Sequence, residues 1–243
     1  MSTPPLFLVD RLPDAGTVDL TGGEGRHAAR VKRLGIGEVV RVGDGRGRVA
    51  SCVVAEILAD GLLLSIREIS DVPVPSPRLV AVQALPKGER AELAVEVMTE
   101  LGVDEIVPWA ASRSIVRWDG PRGAKAMEKW RRTAVEAAKQ SRRARVPDVA
   151  ELATTKQVCA RLEAAAGLLL HESASISLAT AGLPREGEVI IVIGPEGGIS
   201  DDELAAFEAV GAVAVRMGEP VLRTSTAGAA ALSALSLRLG RWS

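Results

Sequence analysis

The chain reads as an α/β protein in two parts, a small antiparallel β barrel or sheet followed by a mostly parallel sheet covered by helices. Three observations predict this. Short segments rich in Val, Ile and Leu crowd into residues 39–69, separated by turn residues. Prolines at 73, 75 and 77 follow, and such alternation favours an extended connector poor in hydrogen bonds, as at a domain boundary. Beyond residue 78, apolar runs alternate with helical patterns, which implies parallel strands joined by helices. The expected division is 1–72, a connector at 73–78, and 79–243.

In the first part Val39–Val42, Val49–Ile57 and Leu62–Ile69 are strands, with turns at Gly43-Asp44-Gly45 and Asp60-Gly61. In the second, Leu79–Leu85 is an apolar strand. Gly88–Leu101 repeats Leu93, Val97 and Leu101 every fourth residue, with Glu89, Glu92, Glu96 and Glu100 on another stripe, which predicts an amphipathic helix. Glu105–Ala110 is a strand. Gly123–Arg143 is a long helix turning Met127, Trp130, Ala134, Ala138 and Ser141 inward, a register that makes Trp130 a core residue rather than a stacking surface. Strands follow at Gly167–His171 and Val189–Ile193. Ser200 and Glu203 have the spacing of a capping box, so a helix starts there and stops at Gly211. Val213–Met217 is the last strand and Thr226–Leu239 the last helix.

Composition narrows the function. With no Tyr, two Phe and four Trp in 243 residues, the core must be aliphatic. Only two cysteines and two histidines are present, so a disulfide framework or a metal centre is not expected. No apolar run approaches the roughly 18 residues of a membrane span. The start, MSTPPLFLVDRL, lacks the basic and long apolar regions of a secretion signal, which points to the cytoplasm. A net charge of −1 conceals segregation. Residues 26–48 hold seven basic residues against Glu38 and Asp44, and residues 122–145 hold nine against Glu128 and Glu136. From His171 to Val210 eight carboxylates face Arg185 alone. Two basic clusters in a neutral total point to a polyanion such as RNA or DNA.

Two apolar runs, Val189–Ile193 and Val213–Met217, each stop at a glycine: Gly194-Pro195-Glu196-Gly197-Gly198 after the first, Gly218-Glu219-Pro220 after the second. Strands opening into such turns expose backbone groups with no Cβ in the way. With Leu170-His171-Glu172-Ser173 they make three strand ends at which a ligand can sit. Neither turn is G-x-G-x-x-G, and no Gly-Lys-Ser/Thr follows, so a dinucleotide or P-loop site is poorly supported. The strand Leu79–Leu85 also lacks the glycine fingerprint of a nicotinamide oxidoreductase. Glu196, Asp201 and Asp202 would repel pyrophosphate and tolerate a cationic or zwitterionic ligand.

Gly194-Pro195-Glu196-Gly197-Gly198-Ile199-Ser200 followed by Leu222-Arg223-Thr224-Ser225-Thr226-Ala227 resembles the cofactor end of the SPOUT methyltransferases. The likeness is strongest to the RsmE family, the 16S rRNA uridine-N3 methyltransferases. It extends through His27-Ala28-Ala29-Arg30, Ala84-Leu85-Pro86-Lys87-Gly88-Glu89-Arg90, Thr99–Val103, Trp130 and Glu136–Arg142. The resemblance implies a C-terminal α/β domain closed by a trefoil knot, which pattern rules alone would not suggest. It also implies a PUA-like barrel that engages RNA, and a homodimer. S-adenosyl-L-methionine would then be held by Leu170, His171, Glu172, Gly194, Pro195, Glu196, Gly197, Gly198, Met217, Gly218, Leu222, Arg223, Thr224 and Thr226.

A uracil N3 is a weak nucleophile until its proton leaves, so a base and a cation near the developing charge are useful. Arg223 is the candidate for that catalytic cation or for a phosphate clamp; its other role would be a salt bridge to a carboxylate. The family commonly has Glu between the two threonines of its Arg-Thr-Glu-Thr motif, where this chain has Ser225. Glu172 and Glu196 remain as carboxylate candidates, and the base is unassigned. For RNA, Arg26, His27, Arg30 and Arg33 fit a phosphate-reading edge on the small domain, and Lys87, Arg142 and Arg143 a second patch. The expected partner is 16S rRNA within the small ribosomal subunit. Ribose 2′-O-methylation by another SPOUT enzyme and a non-catalytic rRNA-binding assembly factor are the other readings.

Overall fold

The computed structural model describes residues 3–88 and 90–242, so Glu89 of the acidic stripe lies outside it. Two compact units are present: Met1–Val74 with Ala138–Val146, and Pro75–Ala137 with Pro147–Ser243.

The first unit is a five-stranded sheet in the order β1-β3-β4-β5-β2, formed by β1 (Leu6–Leu8), β2 (Thr17–Leu20), β3 (Val39–Gly43), β4 (Arg48–Leu58) and β5 (Gly61–Asp71). β2 to β5 pair antiparallel as expected, but β1 joins β3 in parallel, so the sheet is mixed. β1 and β2 escape the sequence pattern because three or four residues are too few to show alternation. Between β2 and β3, helix α1 (Gly22–Arg26) runs into a π-helical turn at His27–Val31. That turn exits through Arg33 at a left-handed φ of 53°. Phe7, Leu20, Val40, Val42, Leu62 and Leu64 form the core. Residues 138–146 complete the unit: Lys139 Nζ stands 2.6 Å from Glu24, and the Gly47 N–H donates to the Ala144 carbonyl at 3.0 Å.

The second unit is a seven-stranded sheet whose paired strands all run parallel. Its strands are β6 (Arg78–Ala84), β7 (Glu105–Trp109), β8 (Asp148–Val149), β9 (Ala166–Leu170), β10 (Ile176–Ser177), β11 (Glu188–Ile193) and β12 (Val213–Arg216), in the order β10-β12-β9-β11-β6-β7-β8. The helices are α2 (Arg90–Glu100), α3 (Gly120–Gln140), α4 (Thr155–Leu162), α5 (Asp201–Ala209) and α6 (Thr224–Arg238). Both faces of the central strands are covered, which is why they read as continuous apolar runs. Leu79, Ala81, Val189 and Ile191 meet Met98 of α2, Trp130 of α3 and Leu232 of α6. The alternate residues Val80, Val82, Ile190 and Val192 meet Val158 of α4 and Phe207 of α5.

Met127, Trp130, Ala134 and Ala138 are buried as their spacing predicts, and Trp130 packs edge-on against Trp118 with ring centres 4.9 Å apart. In α2 the spacing of the large residues misleads. Ala94, Val95, Met98 and Thr99 are buried, whereas Leu93 is 44% exposed. The face with Met98 is the one α6 approaches: a Cβ on Gly228 would stand 2.7 Å from Met98 Sδ. β9 lies between β11 and β12, so the connection through α5 must cross it, and α6 then returns over β11, β6 and α2. The knot implied by the resemblance would lie at this double crossing.

Candidate active site

The carboxyl ends of β12, β9 and β11 lie side by side because their registers align. Val215 pairs with Leu170, and Leu169 with Val192. The His171 N–H extends the ladder, donating to the Val215 carbonyl at 3.0 Å. Three turns therefore leave the sheet at one level, and they enclose a cavity of about 600 Å³.

The glycine loop after β11 forms one wall. Gly198 adopts φ +74°, a conformation L side chains rarely take, and its N–H closes a turn on the Pro195 carbonyl at 2.9 Å. A Cβ on Gly194 would lie 2.9 Å from Ile199 Cγ1, so only glycine lets the loop fold back there. Arg113, from the segment after β7, braces the loop, its guanidinium donating to the carbonyls of Gly197 at 3.4 Å and Ile199 at 3.3 Å. Glu196 accepts the Lys87 N–H at 3.1 Å. The N-terminus of α6 forms the opposite wall, where Gln83, fully buried on β6, donates to the Thr224 carbonyl at 3.3 Å.

Most of the expected cofactor residues line this cavity: Leu170, His171, Glu172, Gly194–Gly198, Met217, Gly218, Leu222, Arg223 and Thr224. Thr226 does not. Helix α6 starts at Thr224 with Arg223 as its N-cap, so Thr224 and Ser225 turn inward and Thr226 outward, its hydroxyl bonding back to the Arg223 carbonyl at 3.2 Å. His171 uses its ring locally, Nδ1 accepting the Ser173 N–H at 3.3 Å. The Arg223 guanidinium is exposed to the cavity and forms no ion pair or hydrogen bond among the described residues, so the salt-bridge role is not the one it fills. Arg90, Arg113, Arg216, Asp201 and Ser225 also line the cavity. Of these, Arg113 and Arg216 belong to no motif, and only their strand-end positions could have signalled them.

The cavity carries both signs of charge. Arg90, Arg113, Arg216 and Arg223 stand among Glu172, Glu196 and Asp201, an arrangement suited to a zwitterion rather than a polyphosphate. Beside it, at the start of α5, Glu203 is 5% exposed. Burial pushes its carboxyl pKa up, but hydrogen bonds from the N–H and hydroxyl groups of Ser112 and Ser200 outweigh this and hold it below the usual range.

The basic residues expected to read RNA divide between the units. Arg26, His27, Arg30 and Arg33 are exposed along α1 and the π-helical turn of the first unit. Arg26 is engaged with Asp60 at 3.1 Å, and the His27 ring lies edge-on to Phe7. Arg142, exposed with φ 59°, and Arg143 belong to this unit too, whereas Lys87 belongs to the other. Lys87 does not line the cavity.

A family model described as an RNA methyltransferase domain matches residues 74–236, and an RNA methyltransferase PUA domain matches residues 20–66. The ribosomal RNA small subunit methyltransferase E of Mycobacterium bovis is 46% identical over 243 residues, covering 98% of this chain and 93% of its own. The chain belongs to the methyltransferase E family. The Bacillus subtilis member is 29% identical over 93% of this chain and 92% of its own. Among solved structures, the methyltransferase E of Neisseria gonorrhoeae bound to S-adenosyl methionine superposes with a TM-score of 0.87 at 26% identity, covering 99% of this chain and 100% of that one. A Legionella pneumophila methyltransferase in complex with the same cofactor gives 0.86 at 27% identity, covering 98% of each chain. The PUA-like unit and the α/β unit of this chain are thus those of the methyltransferase E family.

Proposed function

We propose that the protein methylates N3 of a specific uridine in 16S rRNA. It is an S-adenosylmethionine-dependent rRNA methyltransferase, as its family membership and cofactor-bound neighbours establish. The small subunit as target is supported by the names of its relatives, and the uridine N3 by the order of motifs along the chain. One observation carries the reading: three strand ends in register enclose a backbone-walled cavity lined by both arginines and carboxylates.

The residues fit the cofactor. The cavity volume of about 600 Å³ lies within the range of cofactor sites. Gly194 and Gly197 let the wall fold tightly against Ile199 and Arg113. Arginines suit the carboxylate of the methionyl end, and Glu172, Glu196 and Asp201 suit its ammonium group. When bound, the cofactor supplies an electrophilic methyl on a sulfonium. The chain's own contribution is positioning. Arg223, facing the cavity with no partner among the described residues, is placed to steady negative charge developing on a uracil oxygen, or to clamp a phosphate. Ser225 is 5% exposed at the wall and offers a neutral hydroxyl, so proton removal from N3 falls to a cavity carboxylate or water. Arg26, His27, Arg30, Arg33, Lys87, Arg142 and Arg143 would contact RNA. A homodimer is the expected assembly, supported by exposed Leu237 and Trp242 and to be checked by sedimentation, and a ribosomal substrate supports a cytoplasmic location.

Incubating the enzyme with labelled cofactor and 30S subunits, followed by nucleoside analysis, should yield 3-methyluridine. A 2′-O-methylated product would refute the N3 assignment. Absence of cofactor binding at millimolar concentration would favour a non-catalytic assembly factor. Arg223→Ala should abolish turnover with the fold intact, and near-normal activity would remove Arg223 from the mechanism.

A further inference from the structure

A buried carboxylate at the same end of the sheet takes part in none of these roles. Glu203 Oε1 accepts the Ser112 N–H at 2.7 Å and the Thr155 hydroxyl at 3.2 Å. Its Oε2 accepts the Ser112 hydroxyl at 2.9 Å, the Ser200 N–H at 3.1 Å and the Ser200 hydroxyl at 2.8 Å. A capping box needs only the bond to the Ser200 N–H. The remaining donors tie this carboxylate to the segment after β7 and to the start of α4, and Thr155 is held in turn by the Trp109 indole at 3.2 Å. A carboxylate taken out of water is tolerated only when its oxygens are satisfied, and here five donors converge on two of them.

We infer that Glu203 is a positioning residue for the cofactor wall, acting through Ser112 and Arg113 on the glycine loop. By gripping Ser112, Glu203 sets the backbone from which Arg113 reaches the carbonyls of Gly197 and Ile199. By gripping Ser200, it fixes the end of the glycine loop that leads into α5. The two segments are in close contact: a Cβ on Gly197 would stand 3.2 Å from Arg113 Cβ. The loop is thereby held at its Ser200 end by one anion and braced along its length by one cation, which stands beside the Ser112 that the same anion grips. Asp202 and Arg113 share the small hollow beside Glu203, and Asp202 makes no bond to this cluster among the described residues. Glutamine cannot replace the anion, because either orientation of its amide turns an NH₂ toward a backbone N–H.

This role rests on the cavity being the cofactor site, so the experiment separates the two claims. The full chain and its variants Glu203→Gln, Ser112→Ala, Arg113→Ala and Glu203→Gln/Arg113→Ala are titrated calorimetrically with S-adenosylmethionine. Turnover at saturating cofactor and thermal unfolding are recorded for each. The wild type should bind, and no binding would overturn both claims. Glu203→Gln should raise Kd about tenfold or more, with kcat at saturation within about threefold of the wild type. Ser112→Ala, which removes one hydroxyl and keeps the backbone N–H, should raise Kd about threefold and carries the test if Glu203→Gln does not fold. The double variant should bind within about twofold of the weaker single variant, because both changes act through one loop. A Kd within twofold of the wild type in folded Glu203→Gln, or fully additive effects in the double variant, would reduce Glu203 to a helix cap and overturn the proposal.

Discussion

Gly194→Ala tests whether the cofactor wall depends on how tightly the glycine loop folds back. The added Cβ would stand 2.9 Å from Ile199 Cγ1 and 3.2 Å from the Ile199 backbone nitrogen, where ordinary contact begins at 3.4 Å. About half an ångström must therefore be found. Ile199 cannot swing away, since it is 4% exposed and belongs to the core cluster with Val192 and Phe207. Crowding of this kind costs roughly 1–3 kcal/mol. If the loop absorbed all of it, cofactor affinity would fall by roughly 5- to 150-fold, at about tenfold per 1.4 kcal/mol. If the fold absorbed all of it, the melting temperature would drop by roughly 2–4 °C per kcal/mol for a chain of this size. Both sides of the contact should yield, and an even split gives a rise in Kd for S-adenosylmethionine of roughly 2- to 12-fold with a melting shift of roughly 1–6 °C. Calorimetric titration and thermal unfolding measure the two. Gly182→Ala is the control, because nothing lies within 4 Å of its Cβ position. A Gly194→Ala protein matching the wild type in both measurements would refute the argument.

The remaining predictions concern charge and reactivity. Arg30→Ala with Arg33→Ala should lower the log–log salt slope of rRNA binding by roughly two, and an unchanged slope would place the RNA elsewhere. The Glu203 carboxyl is held below 4.5, so its stabilisation is complete above that value and lost as pH falls through the lowered one. Melting temperatures of the wild type and Glu203→Gln should differ at neutral pH and draw together as pH falls below the ordinary carboxylate range; a constant difference would contradict the assignment. Burial pushes the Cys52 thiol up to about 11, whereas Cys159 is partly exposed. At pH 8 a disulfide reagent should modify Cys159 of the native protein and spare Cys52 until urea is added; equal rates would show the first unit opening readily.

Long, strongly periodic elements were legible in the sequence. The inner stripe of α3 and the apolar runs of β6 and β11 were read correctly because each repeats its pattern several times. The face of α2 was not, because weight was given to Leu93, Val97 and Leu101, while a close partner helix selects Ala94 and Met98. Helix α4 went unread although Thr154 and Gln157 form a capping box at its start. At the site, the glycine loop and the Leu222–Thr224 wall were visible as strand-end turns. Arg113 was not, since it meets the loop across 84 residues of sequence and no local pattern marks it. Thr226, included through the family motif, faces outward because the helix starts at Thr224 and turns Thr224 and Ser225 inward.

Residues 138–146 return to the first unit after the chain has left it. The first unit of this enzyme is consequently not a cassette that can be cut out at the proline-rich connector. A fragment ending at Val74 would leave Glu24 without Lys139, and Gly47 without the Ala144 carbonyl that receives its N–H. Any chimera that lends this unit to another catalytic domain must bring the end of α3 with it. Helix α3 is thus part of both units, since it begins in the second and ends in the first.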